Sequence, residues 1–242
     1  MIKVVKNSLI RNRKVKKHSK RYKKNKEIVL NKKDYSLSEA IKTLKSINKV
    51  KFDESIEIAV VLNKEKNKGE GLSRGYSKLP HGTGKKTKIG VFAPNDKIDE
   101  AKKAGADVVG NDDLIKKVKE GKIDFDIAIS TPEMMKSLGV LGEKLGPLGI
   151  MPNPKTGTVT ENLSKAIKDI KEGQIQFKSE KGGIVHSGIG KVSFSDENLI
   201  SNIETFINAI KKSKPDTIKG QFINKIFISS SMGPSIKIAS LK

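Results

Sequence analysis

The sequence of 242 residues lacks cysteine altogether. That absence excludes disulfide bonds, thiolate metal sites and a cysteine nucleophile, and it fits a reducing compartment. No apolar run reaches the roughly 18 residues that a membrane-spanning helix requires, so we expect no membrane partner. Residues 1–26 also lack acidic side chains but contain twelve lysines and arginines. Such an excess of positive charge favours a polyanion as the partner.

The excess of positive charge lies almost wholly outside the middle of the chain. The formal net charge is +22. Residues 86–157 hold 12 basic and 11 acidic side chains, whereas residues 1–85 hold 24 and 8, and residues 158–242 hold 13 and 8. The two outer parts of the chain are therefore predicted to contact the polyanion.

The sequence contains no residue pattern that predicts catalysis, a cofactor or a metal site. Residues 80–87 are similar to a phosphate-binding loop, but Leu79 and Lys86 stand where that loop needs glycine and serine or threonine. The pair Gly188 and Gly190 lacks the third glycine of a dinucleotide fingerprint. The histidines lack a second ligand at metal-site spacing. We therefore predict that the protein is not an enzyme and holds no cofactor.

Two stretches rich in proline and glycine, residues 80–85 and 146–158, are predicted to form the two chains of one hinge. Proline lacks a backbone donor and fixes φ, so neither a helix nor a central strand is expected in the second stretch. Their glycines and prolines suit rigid turns. The predicted hinge positions are Pro80, Gly82, Gly84, Pro152, Pro154 and Gly157.

The block between these stretches alternates strands and helices. Apolar strands are centred on residues 89–92, 108–109 and 127–129, and a third helix is predicted to start at Thr131 with Pro132 in its first turn. This alternation predicts a parallel sheet with right-handed crossovers, and hence a Rossmann-like α/β domain.

The outer parts predict strands with helices on one face, which is an α+β arrangement. Ser36 and Glu39 form a capping box before an amphipathic helix, and alternation over residues 51–62 predicts a half-buried strand. The predicted division is a basic tail at 1–30, a discontinuous α+β RNA-binding domain at 31–80 plus 159–242, and an inserted Rossmann-like domain at 81–158.

Three features of the outer parts have two or more interpretations. Residues 1–26 are a solvated tail, an arm that orders on RNA phosphates, or an organellar transit peptide. Phe52 beside Lys51 is a core residue or an aromatic that meets RNA. Residues 231–233 form a plain turn or a place where the backbone approaches ribose, which glycine permits.

Several runs of the sequence stand out when they are taken together. They are Lys51-Phe-Asp-Glu-Ser55, Leu79-Pro-His-Gly-Thr-Gly-Lys85, Ala104-Gly-Ala-Asp107, Phe125-Asp126, Thr131-Pro-Glu-Met-Met135, Leu145-Gly-Pro-Leu-Gly-Ile-Met-Pro-Asn-Pro-Lys-Thr-Gly-Thr-Val159, Gly190-Lys-Val-Ser-Phe194 and Ser230-Ser-Met-Gly-Pro234. Together these runs resemble the family of large-subunit ribosomal protein number one, bacterial type, and the match extends in order from about Arg21 to Pro234.

The resemblance implies that both termini build one domain and that the Rossmann-like domain is inserted into it. It implies a structural ribosomal protein that binds the mobile stalk of large-subunit rRNA, assists release of deacylated tRNA from the exit site and represses translation of its own mRNA. No homo-oligomer is expected. The RNA-contacting residues implied are Lys51, Phe52, Ser55, Lys178, Lys181, His186, Ser231, Met232 and Gly233.

The chain departs from the family at Ser231, where threonine is usual, at residues 63–69 and in its longer N-terminal extension. Two alternatives stay open beside the ribosomal function: a free RNA-binding regulator, and a nucleotide-using enzyme built on the middle domain. The expected location is the cytoplasm, on a bacterial ribosome, with an organellar ribosome as the alternative.

Overall fold

A computed structural model describes residues 19–30, 34–47, 50–63, 74–180, 182–215, 218 and 220–239. Most of the predicted basic tail and the predicted RNA contact Lys181 lie outside these residues. The helices in chain order are α1 (Lys20–Leu30), α2 (Leu37–Ile47), α3 (Asn95–Lys103), α4 (Asp112–Lys119), α5 (Met135–Leu138), α6 (Gly142–Leu148), α7 (Leu163–Lys171) and α8 (Asp196–Lys212). The strands are β1 (Ser55–Leu62), β2 (Arg74–Lys78), β3 (Ile89–Phe92), β4 (Val108–Gly110), β5 (Ile127–Ser130), β6 (Gln174–Lys178), β7 (Ile184–Lys191), β8 (Ile223–Ser230) and β9 (Ile236–Ile238).

The two outer parts of the chain share one antiparallel sheet, with the strand order β7-β1-β8-β9. Its buried face carries Ile56, Ile58 and Val60 of β1, as the sequence alternation predicted. Helices α2 and α8 cover this face in a single apolar cluster. The predicted capping box begins α2, because Glu39 N donates to Ser36 Oγ (3.4 Å) and Ser36 N donates to Glu39 Oε2 (3.2 Å).

The middle block contains a three-stranded parallel sheet in the order β4-β3-β5. Parallel pairing was predicted from the alternation of strands and helices, and the mixed α/β fold is confirmed. Apolar clusters cover both faces, as expected for a parallel sheet. Helices α4, α5 and α6 contribute to one cluster, and α3 and α7 contribute to the other.

Helix α7 packs against the parallel sheet although it lies in the segment predicted to belong to the RNA-binding domain. Leu163 and Ile167 are fully buried among Ile89, Val91 and Ile129. A short antiparallel ribbon, β2 with β6, continues the chain on both sides of this region. The boundary at residue 158 stays a prediction, and the contacts of α7 favour a later one.

Three local predictions were wrong. Residues 20–30 were assigned to a tail but form α1, whose Val29 is buried in the core and whose Asn25 Nδ2 donates to Ile47 O (3.0 Å). The third helix of the middle block begins at Met135 rather than at Thr131. Helical turns also enter the second hinge stretch, at α6 and at the 3-10 turn Pro154–Thr156.

The two prolines in those turns differ in what their missing donor costs. Pro147 lies inside α6, where it lacks the N–H that would donate to the carbonyl of Glu143, and α6 ends two residues later at Gly149 in the left-handed conformation (φ 73°). Pro154 occupies the first position of its turn, where the backbone N–H would have no helical acceptor. Among the described helices, none has the length and apolar character needed to cross a membrane.

Candidate RNA interface

The segment before β1 and the segment after β8 meet at one end of the antiparallel sheet. They meet because β1 and β8 are antiparallel neighbours, with Ile56 opposite Ser230. Residues 51–54 and 231–233 therefore lie side by side, although about 180 residues separate them in sequence. The end of β7 joins them, since Lys191 stands opposite Ser55.

Ser231 fastens the two segments together. Its backbone N–H donates to Ser55 O (3.1 Å), and Ser55 N donates to Ser231 Oγ (3.1 Å). The hydroxyl also donates to Ser55 O (3.4 Å). Gly233 N donates to Ser230 O (3.1 Å), which closes a tight turn. The Ser231 hydroxyl is therefore already hydrogen-bonded to the backbone of Ser55.

Met232 is presented outward from this turn. Its N–H donates to Glu54 Oε1 (2.8 Å), and its carbonyl accepts a hydrogen bond from Arg21 Nη2 (3.3 Å). The side chain is 52% exposed. Phe52, on the adjoining segment, is 56% exposed. Phe52 is therefore not a core residue, and the interpretation that places it in contact with RNA stays a prediction.

The cations around these apolar side chains come from three elements. Lys51 is exposed beside Phe52. Lys191 Nζ donates to Ser55 Oγ (2.8 Å), and Arg21 extends from α1. Together these residues place positive charge around two exposed apolar side chains, an arrangement suited to nucleic acid. We call the set the sheet-end cluster: Arg21, Lys51, Phe52, Ser55, Lys191, Ser231, Met232 and Gly233.

The structure keeps two predicted contacts away from the sheet-end cluster. His186 stands opposite Ala59, five residues along β7 from Lys191, which is roughly 17 Å of strand. Its Nε2 lies 4.0 Å from Glu180 Oε1. Lys178 ends β6 in the other antiparallel ribbon. A role for these two side chains in RNA binding stays a prediction.

Arg21 and Lys191 belong to the sheet-end cluster but were not singled out from the sequence. Arg21 lay within a run of cations without any signal of its own. Lys191 is placed by the pairing of β7 with β1, so only a correct strand register would have revealed it.

The chain crosses between the antiparallel and parallel sheets at Gly82 and again at Gly173. A Cβ added to Gly173 would overlap the Cα of Gly82, so the two crossings lie in contact. The buried Asn202 of α8 holds the first crossing: its Oδ1 accepts from His81 N (3.1 Å), and its Nδ2 donates to Gly82 O (3.0 Å). Gly173 was not among the predicted hinge positions.

The remaining predicted hinge positions have defined local roles. Gly84 (φ 70°) and Gly157 (φ 71°) adopt the left-handed conformation that favours glycine. Residues 152–157 lie beside the β2–β6 ribbon, where Gln174 Nε2 donates to Thr156 O (3.4 Å). Lys78 of that ribbon pairs with Asp169 of α7 (2.7 Å), which raises the pKa of Lys78. Movement at the predicted hinge stays a prediction.

A cleft of about 790 Å³ lies between the two sheets and carries charges of both signs. The backbone N–H of Lys88 donates to Asp126 Oδ2 (3.1 Å) and lowers the pKa of that carboxyl, with a further contribution from Lys85. Lys171 and His186 contribute to its walls. The described residues contain no cluster of side chains suited to a metal ion.

Comparison with known proteins identifies the class. Residues 44–234 match the Ribosomal protein L1p/L10e family, so the chain belongs to that family. The large ribosomal subunit protein uL1 of Coxiella burnetii strain RSA 331 / Henzerling II is 48% identical over 206 residues, covering 85% of this chain and 89% of the relative. The uL1 proteins of strains RSA 493 / Nine Mile phase I and Dugway 5J108-111 show the same identity and coverage. The resemblance noted from the sequence is confirmed.

Proposed function

We propose that the protein is a structural component of the large ribosomal subunit that binds the mobile rRNA stalk through the sheet-end cluster. The observation that supports this most directly is the pair of exposed apolar side chains, Phe52 and Met232, among cations on one surface. Family membership and the net charge of +22 support the same partner.

Each part of the sheet-end cluster suits a different part of an RNA chain. Phe52 provides an aromatic face on which a base stacks. Lys51 and Lys191 provide charges for phosphates. The turn at residues 231–233 lets the backbone approach closely, because Gly233 has no side chain. A basic arm at residues 1–18 would add phosphate contacts.

Two finer activities belong to the same proposal. Assistance in releasing deacylated tRNA from the exit site, and repression of the protein's own mRNA through a mimic of the stalk, are supported by the family resemblance. The bacterial origin of the relatives supports a bacterial, cytoplasmic ribosome as the place of action. We propose no catalytic activity and no cofactor.

Co-sedimentation tests the ribosomal assignment. The tagged full-length protein is expected to sediment with large subunits and to be released only by high salt, because phosphate contacts dominate such binding. Recovery mainly in the free fraction, with RNA attached, would favour a free regulator. Saturable binding of ATP or GTP to the full-length protein would favour the enzyme alternative.

Phe52→Ala is expected to weaken binding of a stalk RNA fragment by about 1–3 kcal/mol, the usual value of one base–aromatic stack. Thermal unfolding should change little, because the ring is 56% exposed. Fluorescence anisotropy measures the affinity. Tyr76→Ala is the matched control, since Tyr76 is an equally exposed aromatic (52%) on β2. Equal affinities for wild type and Phe52→Ala would remove Phe52 from the interface.

A further inference from the structure

Glu54 is a buried acid that lies next to the sheet-end cluster without belonging to it. It stands between Asp53 and Ser55 in sequence and is 0% exposed. Its Oε1 accepts from Met232 N (2.8 Å), and its carbonyl accepts from Val192 N (2.9 Å). Its Oε2 is buried without a hydrogen-bond partner among the described residues.

Neither packing nor charge accounts for an acid at this position. Burying a carboxylate with only part of its hydrogen-bonding capacity satisfied is unfavourable for folding. A negative charge beside a site for a polyanion also opposes binding. The feature that remains is the hydrogen bond that Glu54 Oε1 accepts from the backbone N–H of Met232.

We propose that Glu54 is a positioning residue that fixes the Met232 backbone for RNA. The inference rests on the proposed function. Glu54 accepts from the Met232 N–H while Arg21 donates to the Met232 carbonyl, so the residue is held on both sides. A loop already held in its bound conformation loses less entropy when the ligand arrives. Glu54 acts through the loop and does not contact RNA.

Positioning and electrostatics predict opposite effects of Glu54→Ala on the affinity for RNA. Glu54→Ala removes a negative charge near a polyanion, so charge alone would tighten binding. Loss of the Met232 hydrogen bond would instead weaken it, and we expect about a tenfold weaker affinity. Glu54→Gln keeps an oxygen of the same reach and should bind at least as tightly as wild type. Glu54→Asp keeps the charge but shortens the side chain, and should bind more weakly.

The experiment measures binding of a stalk RNA fragment to the full-length protein by fluorescence anisotropy. Hydrogen exchange of the Met232 amide provides a second readout, expected to be faster in Glu54→Ala and unchanged in Glu54→Gln. Asp53→Asn measures what the loss of one negative charge does to RNA affinity, because Asp53 is an exposed acid on the same segment. The asparagine keeps one oxygen that accepts from Ser193. It should bind at least as tightly as wild type.

Three outcomes would overturn the inference. The first is unweakened binding by Glu54→Ala together with faster Met232 exchange. The second is an unchanged RNA affinity in Glu54→Asp, which decides the question if Glu54→Ala does not fold. The third is an equal loss of affinity in Glu54→Ala and Glu54→Gln, which would show that the acceptor oxygen for Met232 N, kept in Glu54→Gln, does not matter. Failure of wild type to bind the RNA would instead overturn the proposed function.

Discussion

Gly233→Ala is expected to weaken binding of the stalk RNA fragment ten- to hundredfold, or about 1.4–2.7 kcal/mol. A Cβ at position 233 would overlap the Oγ of Ser230. Ser230 is buried at the end of β8 and pairs with Ile56, so its side chain has little room to move. The turn must shift instead, and it carries Met232 and Ser231 away from their positions on the surface.

A compensating substitution tests this reason directly. Ser230→Ala removes the overlapping atom, so the double variant Ser230→Ala with Gly233→Ala should recover most of the lost affinity. Gly142→Ala is the matched control, because nothing lies within 4 Å of a Cβ there. Affinities come from anisotropy titrations at one salt concentration. If Gly233→Ala binds normally, or if the double variant remains as weak as the single one, the turn does not shape the interface as described.

The parts of the fold that repeat along the chain could be predicted from the sequence. Apolar runs alternating with helices predicted the parallel strands β3, β4 and β5, and alternation of single apolar residues predicted β1. The single-residue alternation arises because only one face of β1 meets the core. The continuous apolar runs arise because both faces of a strand such as β3 are buried. Family resemblance then supplied candidate site residues such as Phe52 and Met232.

The parts that depend on distant contacts could not be predicted in this way. The spacing of Leu163, Ala166, Ile167 and Ile170 is that of an amphipathic helix, but an apolar face does not indicate which sheet covers it. Glu54 lies in a polar segment, and its burial follows from the meeting of β1 with β8. Asn202 is buried on α8 because its side chain is hydrogen-bonded to the distant residues His81 and Gly82. Buried polar groups with distant partners leave no periodic signal.

The RNA-binding fold is expected to survive removal of the whole parallel-sheet unit. The cluster under the antiparallel sheet has no buried member between Leu79 and Phe177, and the partly buried Ile175 that packs against it is kept in the shortened chain described below. The other two clusters lie within residues 89–170. The crossings at Gly82 and Gly173 are in contact, so a short linker closes the gap at small entropic cost.

A shortened chain that joins residues 1–84 to 173–242 through a few glycines and serines should therefore unfold cooperatively on heating. It keeps Gly82, so Asn202 retains its partners at the first crossing. Lys78 loses its two carboxylate partners, but such exposed ion pairs contribute little. Circular dichroism during heating measures this unfolding.

The matched comparison is a chain that joins residues 1–84 to 160–242 and so keeps α7 without its sheet. Leu163, Ile167 and Ile170 would then lose their burial, worth about 1.5–3 kcal/mol for each side chain. We expect rapid proteolysis within residues 160–172 and lower solubility. Stable, protease-resistant α7 in that chain would contradict the division of the core at Gly173 and favour the predicted boundary at residue 158.

The shortened chain of residues 1–84 and 173–242 should bind the stalk RNA fragment within roughly tenfold of the full-length protein, about 1.4 kcal/mol. It retains every residue of the sheet-end cluster, and the removed residues 85–172 hold 16 basic and 14 acidic side chains, so only +2 of the net charge of +22 is lost. The parallel-sheet unit would then serve another contact, such as departing tRNA. A folded shortened chain that fails to bind the RNA would show that the sheet-end cluster is not the main site.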